Sequence, residues 1–160
     1  MIKREMEVTY KNGELTVSTA ATGTDAYVGG SPLAVNTSGE LELCKSGANF
    51  VGIAARSSYE DMQMTGARGV GTYYGVPCLL RLGTFSATKW SSHQTPTAFS
   101  GEGYPYLTTD NWVAGDPLYI DSDGKWTRSN PGSQSSFGIV REVGTSNTYL
   151  DVQFYGGHEE

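Results

Sequence analysis

The chain has 160 residues, 38% hydrophobic and 18% charged, so it is apolar enough to fold as one domain or two halves sharing a core, and too sparsely charged for disorder. A net charge of −6 and a pI near 4.9, with only 11 Lys and Arg, leave no basic patch and argue against nucleic acid as a partner. No run approaches the ~20 apolar residues of a membrane-spanning helix, so no membrane contact is expected, and 21 glycines favour short strands joined by tight turns.

Met1-Ile2-Lys3-Arg4-Glu5-Met6-Glu7 is mixed in charge and shows no core pattern. It lacks the apolar segment of a secretion signal, so folding in a cytoplasm is expected. Residues 8–17 alternate apolar and polar on both sides of Asn12-Gly13, the preferred pair for a type I′ turn, and predict a β-hairpin. Residues 18–28 are small and polar and read as a loop. An N-terminal arm and hairpin over 1–28 is therefore expected, ahead of one β domain over 29–156 and a tail at 157–160.

Two segments of that domain resemble each other. Gly30-Ser31-Pro32-Leu33-Ala34-Val35-Asn36-Thr37-Ser38-Gly39-Glu40-Leu41 aligns without gaps on Gly115-Asp116-Pro117-Leu118-Tyr119-Ile120-Asp121-Ser122-Asp123-Gly124-Lys125-Trp126. Both predict a strand, a polar turn closed by glycine, then a second strand. Downstream, Phe50-Val51-Gly52-Ile53-Ala54 matches Ser136-Phe137-Gly138-Ile139-Val140. Each half ends in an apolar strand running into glycine, 76–83 and 150–156. The halves, 29–83 and 114–156, thus predict two related β units about a shared core.

The first half carries an insertion at 56–75, where Ser58 to Met64 allows a helical turn. Gly66 to Gly75 is glycine-rich, but it lacks the Gly-Lys-Ser/Thr of a P-loop and the strand-to-helix context of a dinucleotide site. About thirty residues, 84–113, separate the halves, far more than a median loop.

Little in the chain carries chemistry. Asp121-Ser122-Asp123-Gly124 opens like a calcium loop, but Gly132 stands where the loop's last Glu belongs, and a hairpin turn explains the residues as well. Cys44 or Cys78 with His93 would make a nucleophile and base only if the fold joined them, and His158 sits in the tail. Buried apolar cysteines are the competing reading. Two cysteines suit a reducing compartment, with a disulfide left open. No zinc-ligand spacing exists, so no metal, cofactor or catalytic residue is expected. Asn36-Thr37-Ser38 fits a glycosylation sequon, read as chance without a secretion signal.

The aromatic group Trp90, Tyr104, Tyr106 and Trp112 is the strongest signal for a contact surface. Trp and Tyr bury large rigid area at interfaces at low entropic cost. The same rings would serve as a stacking platform for sugars, or as a satellite core under the long segment. Met1, Ile2, Lys3 and Arg4 join them as candidate interface residues, on the expectation that the arm orders when it binds.

The repeated pattern resembles the capsid decoration, or cement, proteins of bacteriophages. These carry a Gly-Asp-Pro-like lead into a strand, a turn closed by glycine, a Phe-Gly-Ile/Val-Ala-type strand and a final apolar strand ending in glycine. Gly115-Asp116-Pro117-Leu118, Gly124-Lys125-Trp126, Phe137-Gly138-Ile139-Val140 and Val152-Gln153-Phe154-Tyr155-Gly156 carry the match, and Gly30, Pro32, Leu33, Gly39, Gly52, Ile53 and Ala54 repeat it. The 56–75 insertion and the 84–113 segment depart from shorter members. The resemblance implies an all-β fold: a β-barrel, β-tulip-like or sandwich module of two strand-turn-strand units. It also implies a homotrimer on the outer surface of the virion, bound to the major capsid protein and stabilising contacts between its subunits, with no catalysis. A carbohydrate-binding module of a fibre or surface protein is the alternative, and a small hydrolase a third.

Overall fold

A computed structural model of the chain describes residues 2–4, 8–9, 17–18, 21–54, 57–58, 79–80, 83–88 and 103–155. The fold is all-β, in two antiparallel sheets. Its strands are β1 (Ile2–Arg4), β2 (Val8–Thr9), β3 (Pro32–Val35), β4 (Leu41–Leu43), β5 (Phe50–Ala54), β6 (Leu79–Leu80), β7 (Gly83–Thr88), β8 (Pro117–Ile120), β9 (Trp126–Thr127), β10 (Gly138–Val143) and β11 (Tyr149–Phe154). Short 3-10 turns form at Gly23–Asp25 and Thr145–Asn147.

The five-stranded sheet runs β2-β6-β5-β3-β4, and the six-stranded sheet runs β1-β7-β11-β10-β8-β9. Set β1 aside and the two orders are identical: first strand, fifth, fourth, second, third. The chain therefore builds one topology twice, from β2–β6 and again from β7–β11. Registers match at the pairs the two units share. Pro32 and Leu33 pair with Ile53 and Gly52, and Pro117 and Leu118 pair with Ile139 and Gly138. Val35 faces Leu41 as Ile120 faces Trp126.

Side-chain chemistry fixes the same turn in both units. Asn36 Oδ1 accepts from the backbone N–H groups of Ser38 and Glu40, both at 2.9 Å. Asp121 Oδ1 accepts from those of Asp123 and Lys125, at 2.8 and 2.9 Å. These side chains hold the turn from within, as Asn and Asp commonly do. The closing residues, Gly39 and Gly124, have φ of +81° and +83°, a region that penalises any Cβ. Upstream, Gly30 N–H donates to Ala54 O and Gly115 N–H to Val140 O, each at 2.8 Å. Val28 N–H donates to Ser31 Oγ at 3.0 Å, and Val113 N–H to Asp116 Oδ2 at 2.8 Å.

The matching reaches outside the boundaries expected from sequence. Val17 bridges Leu41 in parallel, and Tyr106 bridges Trp126 in parallel. Residues 17–28 and 106–113 are thus corresponding parts of the two units. The segment 84–113 is not one connecting loop: it opens within β7 and closes with residues that pack into the second unit. The N-terminal residues belong to the sheets as well, since β1 pairs with β7 and β2 with β6. The Asn12-Gly13 turn, the Gly66–Gly75 loop and most of the Ser58–Met64 segment lie outside the described residues.

One core cluster gathers Val17, Tyr27, Val28, Leu33 and Leu41 of the first unit. The other gathers Tyr106, Trp112, Leu118, Trp126, Phe137 and Phe154 of the second, and draws in Ala34, Cys44 and Ile53 from the first. The units are joined there. Trp126 Nε1 donates to Gly30 O at 2.8 Å, a fully buried bond. Ser46 N–H donates to Asp121 O at 2.9 Å. A Cβ on Gly124 would stand 2.5 Å from Leu43 Cγ, so the second unit's turn rests directly on β4.

Gly124→Ala is therefore expected to incur two penalties: roughly 1–2 kcal/mol for a Cβ at positive φ, and roughly 1–3 kcal/mol of overpacking against Leu43. In a Leu43→Ala background only the first should remain, so urea titrations of the four proteins should show non-additive coupling.

Candidate docking surface

The structure brings Tyr104, Tyr106 and Trp112 together, with the last two turned into the core. Met1 and Trp90 lie outside the described residues, and Ile2, Lys3 and Arg4 form the edge strand β1. Tyr104 is half-buried, whereas Tyr106 and Trp112 are buried at 0% and 4% exposure. Those two rings form part of the main core rather than a surface for a partner or a sugar. Tyr106 lies 6.0 Å from Trp126 and 6.3 Å from Trp112 between ring centroids, the latter edge to face. Trp126 stands edge to face over Phe154 at 5.5 Å. Offset and edge contacts at these distances add to simple area burial.

The polar ends of the rings are satisfied inside. Trp112 Nε1 donates to Leu107 O at 2.7 Å, and Tyr106 Oη donates to Asn147 O at 2.9 Å. Asn147, at φ +58°, donates from Nδ2 to Thr108 O and Asp110 O, both at 3.2 Å. The 145–148 turn thus clips the 106–110 segment onto the β10–β11 hairpin. Burial, with Tyr104 close by, pushes the Tyr106 phenol above the ordinary tyrosine range.

Cys44 is fully buried and a free thiol, with Sγ donating to Ala48 O at 3.5 Å. Burial pushes it up to about 12, helped by the Glu42 charge and opposed by a hydrogen bond from the Gly47 backbone. That is the reverse of a reactive cysteine, which needs a stabilised thiolate. Cys78, His93 and His158 lie outside the described residues. Among the described residues no three His, Cys, Asp or Glu side chains are grouped to hold a metal. Asp121, first residue of the calcium-like run, spends Oδ1 on its own turn. Asn36 of the sequon does likewise, and its Nδ2 donates to Glu40 and Glu42 at 3.2 and 3.4 Å.

Three surface features remain. A concavity of about 250 Å³ is lined by Asp25, Ala34, Glu42, Lys45 and Asn49 and crossed by the Lys45–Asp25 ion pair at 2.6 Å. At the far end of the second unit Arg128 donates to Asp116 Oδ1 at 3.0 Å and to Asn111 O at 2.6 Å. Beside it, Val113 is 54% exposed, while its counterpart Val28 is fully buried. Nothing in the local sequence distinguishes Val113. Only the correspondence of the units, with Val28 two residues before Gly30 and Val113 two before Gly115, points to it.

No protein-family model matches the chain, and no curated protein is significantly similar to it.

Cys44 should stay unmodified by a thiol reagent at pH 8 in the native protein and react once unfolded, as peptide mapping by mass spectrometry would resolve. Its folded-state value lies above the ordinary 9.0, so the unfolded chain loses its proton first; this site's contribution to stability should fall as pH rises from 9.0 towards about 12.

Proposed function

We propose that the chain is a structural module that docks on a larger protein assembly, as a decoration protein on the outer surface of a viral head. The observation that carries this reading is where the resemblance falls. Its residues, Gly115 to Leu118, Gly124 to Trp126 and Phe137 to Val140, are the lead, turn and strand of the twice-built unit. Their first-unit counterparts make the same pairings. Of the matched glycines, Gly30, Gly39, Gly115 and Gly124 have positive φ and Gly138 has no room for a Cβ, so they define a unit geometry and not a scatter of turns.

The mechanism is cooperative burial of surface. A specific protein contact covers about 1,600 Å² in total. Several copies held in one homotrimer multiply a weak contact through effective concentration. The net charge of −6 favours a positively charged partner surface, the major capsid protein in this reading. The sugar-binding alternative loses Tyr106 and Trp112 as stacking platforms, because both are buried in the core.

Electron microscopy of the protein mixed with expanded heads of its parent particle should reveal density at the outer junctions between capsomers; bare heads at saturating protein would remove the reading. Deleting residues 1–7 should lower that occupancy, and unchanged occupancy would take the N-terminal strand out of the contact.

A further inference from the structure

The two units of the chain meet through unlike surfaces. The first contributes Gly30, Leu43, Ser46 and Gly47, and the second contributes Pro105, Asp121, Gly124, Trp126 and Gln134. A symmetric junction would repeat each contact with roles exchanged. Leu43 on Gly124 would then be mirrored by Arg128 on Gly39, since those residues correspond in the two units. The mirror contact is not made: a Cβ on Gly39 meets no described atom within 4 Å. The junction is therefore head to tail.

Exposure shows the consequence position by position. Gly30 is buried against the second unit and Gly115 is exposed; near it Val113 is exposed too, whereas Val28 is taken up by the first unit's own core. Gly124 and Lys125 are buried, whereas Gly39 is exposed and Glu40 half-buried. A Cβ on Gly30 would meet Pro105 at 2.8 Å, whereas one on Gly115 meets no described atom within 4 Å. Every chain thus carries one open receiving face, around Val113, Gly115 and Arg128, and one open turn, Asn36 to Glu40. Gly115 and Gly39 are the uncovered counterparts of Gly30 and Gly124, which are covered at the junction inside the same chain.

We infer that copies of this chain associate head to tail, with the Val113–Gly115–Arg128 face of one copy seated on the 36–40 turn of the next. The occupant is a second copy, because the chain already contains the corresponding pair of surfaces in contact. The contact would also cover Val113, the most exposed large apolar side chain among the described residues, at 54%. A head-to-tail contact closes into a ring when its rotation allows and otherwise grows as a filament. Three copies so joined would place six units in one ring. This deepens the self-association in the reading above and rests on it, but it does not require a capsid.

The test is sedimentation with disulfide trapping on the full chain. Wild type should sediment at a multiple of 17.2 kDa. Val113→Glu should reduce it to the single-chain mass with an unchanged circular dichroism spectrum. Ser38 and Ser129, both exposed, flank the inferred Gly39–Arg128 contact. The double variant S38C/S129C should form links between chains on oxidation, while neither single variant does. A wild type that stays at single-chain mass overturns the inference. So does a multimer that survives Val113→Glu and forms no Ser38–Ser129 link. A linked multimer that leaves expanded heads bare keeps this interface and removes only the capsid reading.

Discussion

The hydrogen bond from Trp126 Nε1 to Gly30 O fixes how the two halves of the molecule meet. It spans most of the chain in sequence and lies wholly out of water. A buried carbonyl deprived of its donor costs roughly 1–3 kcal/mol, so the indole can neither withdraw nor turn without loss. Held there, the ring is flanked by Tyr106, Phe137 and Phe154. The corresponding first-unit residue is Leu41, also fully buried but with no polar end to offer. The difference between a leucine and a tryptophan at equivalent sites makes one unit the reader and the other the surface that is read.

One topology built twice with such local differences explains the uneven surface. Both turns are held by an Asx side chain accepting two backbone N–H groups, so their shapes stay alike while their neighbours differ. One turn is packed on β4 and the other faces outward. The four-residue step between Thr22 and Asp25, which includes a 3-10 turn, has no counterpart in the tighter 110–113 segment. Differences of this size alter what each unit presents without disturbing the strand order.

Much of the architecture was legible in the sequence, for a physical reason. Gly30 and Gly39 and their counterparts Gly115 and Gly124 have positive φ, which restricts the choice of residue, so the repeat survives as matching letters. The strand β7 was not legible, because Thr84-Phe85-Ser86-Ala87-Thr88 is too small and polar to stand out beside an aromatic-rich stretch, although it alternates. Tyr106 and Trp112 were read as candidate contact residues because composition says that large rings lie in the segment, and says nothing of which way they face. Val113 was missed because one exposed valine carries no signal until its buried counterpart is known. The correspondence of Val17 with Tyr106 was hidden by the change of residue type.

The first strand has a consequence for how the molecule is made. Ile2 pairs with Ala87 in β7, and β7 in turn lies against β11, whose last described pairing residue is Phe154. β1 is therefore made well before β7 and β11, the strands that complete its side of the sheet. The described strands of the first unit are complete by Leu80, so that unit is in a position to collapse while synthesis continues. β1 must wait with an unpaired edge until β7 is made, and β7 in turn waits for β11. Pairings this distant along the chain are slow to close, and a waiting strand is open to mispairing with neighbours. Its brevity, three residues with two charges, limits that hazard during the delay.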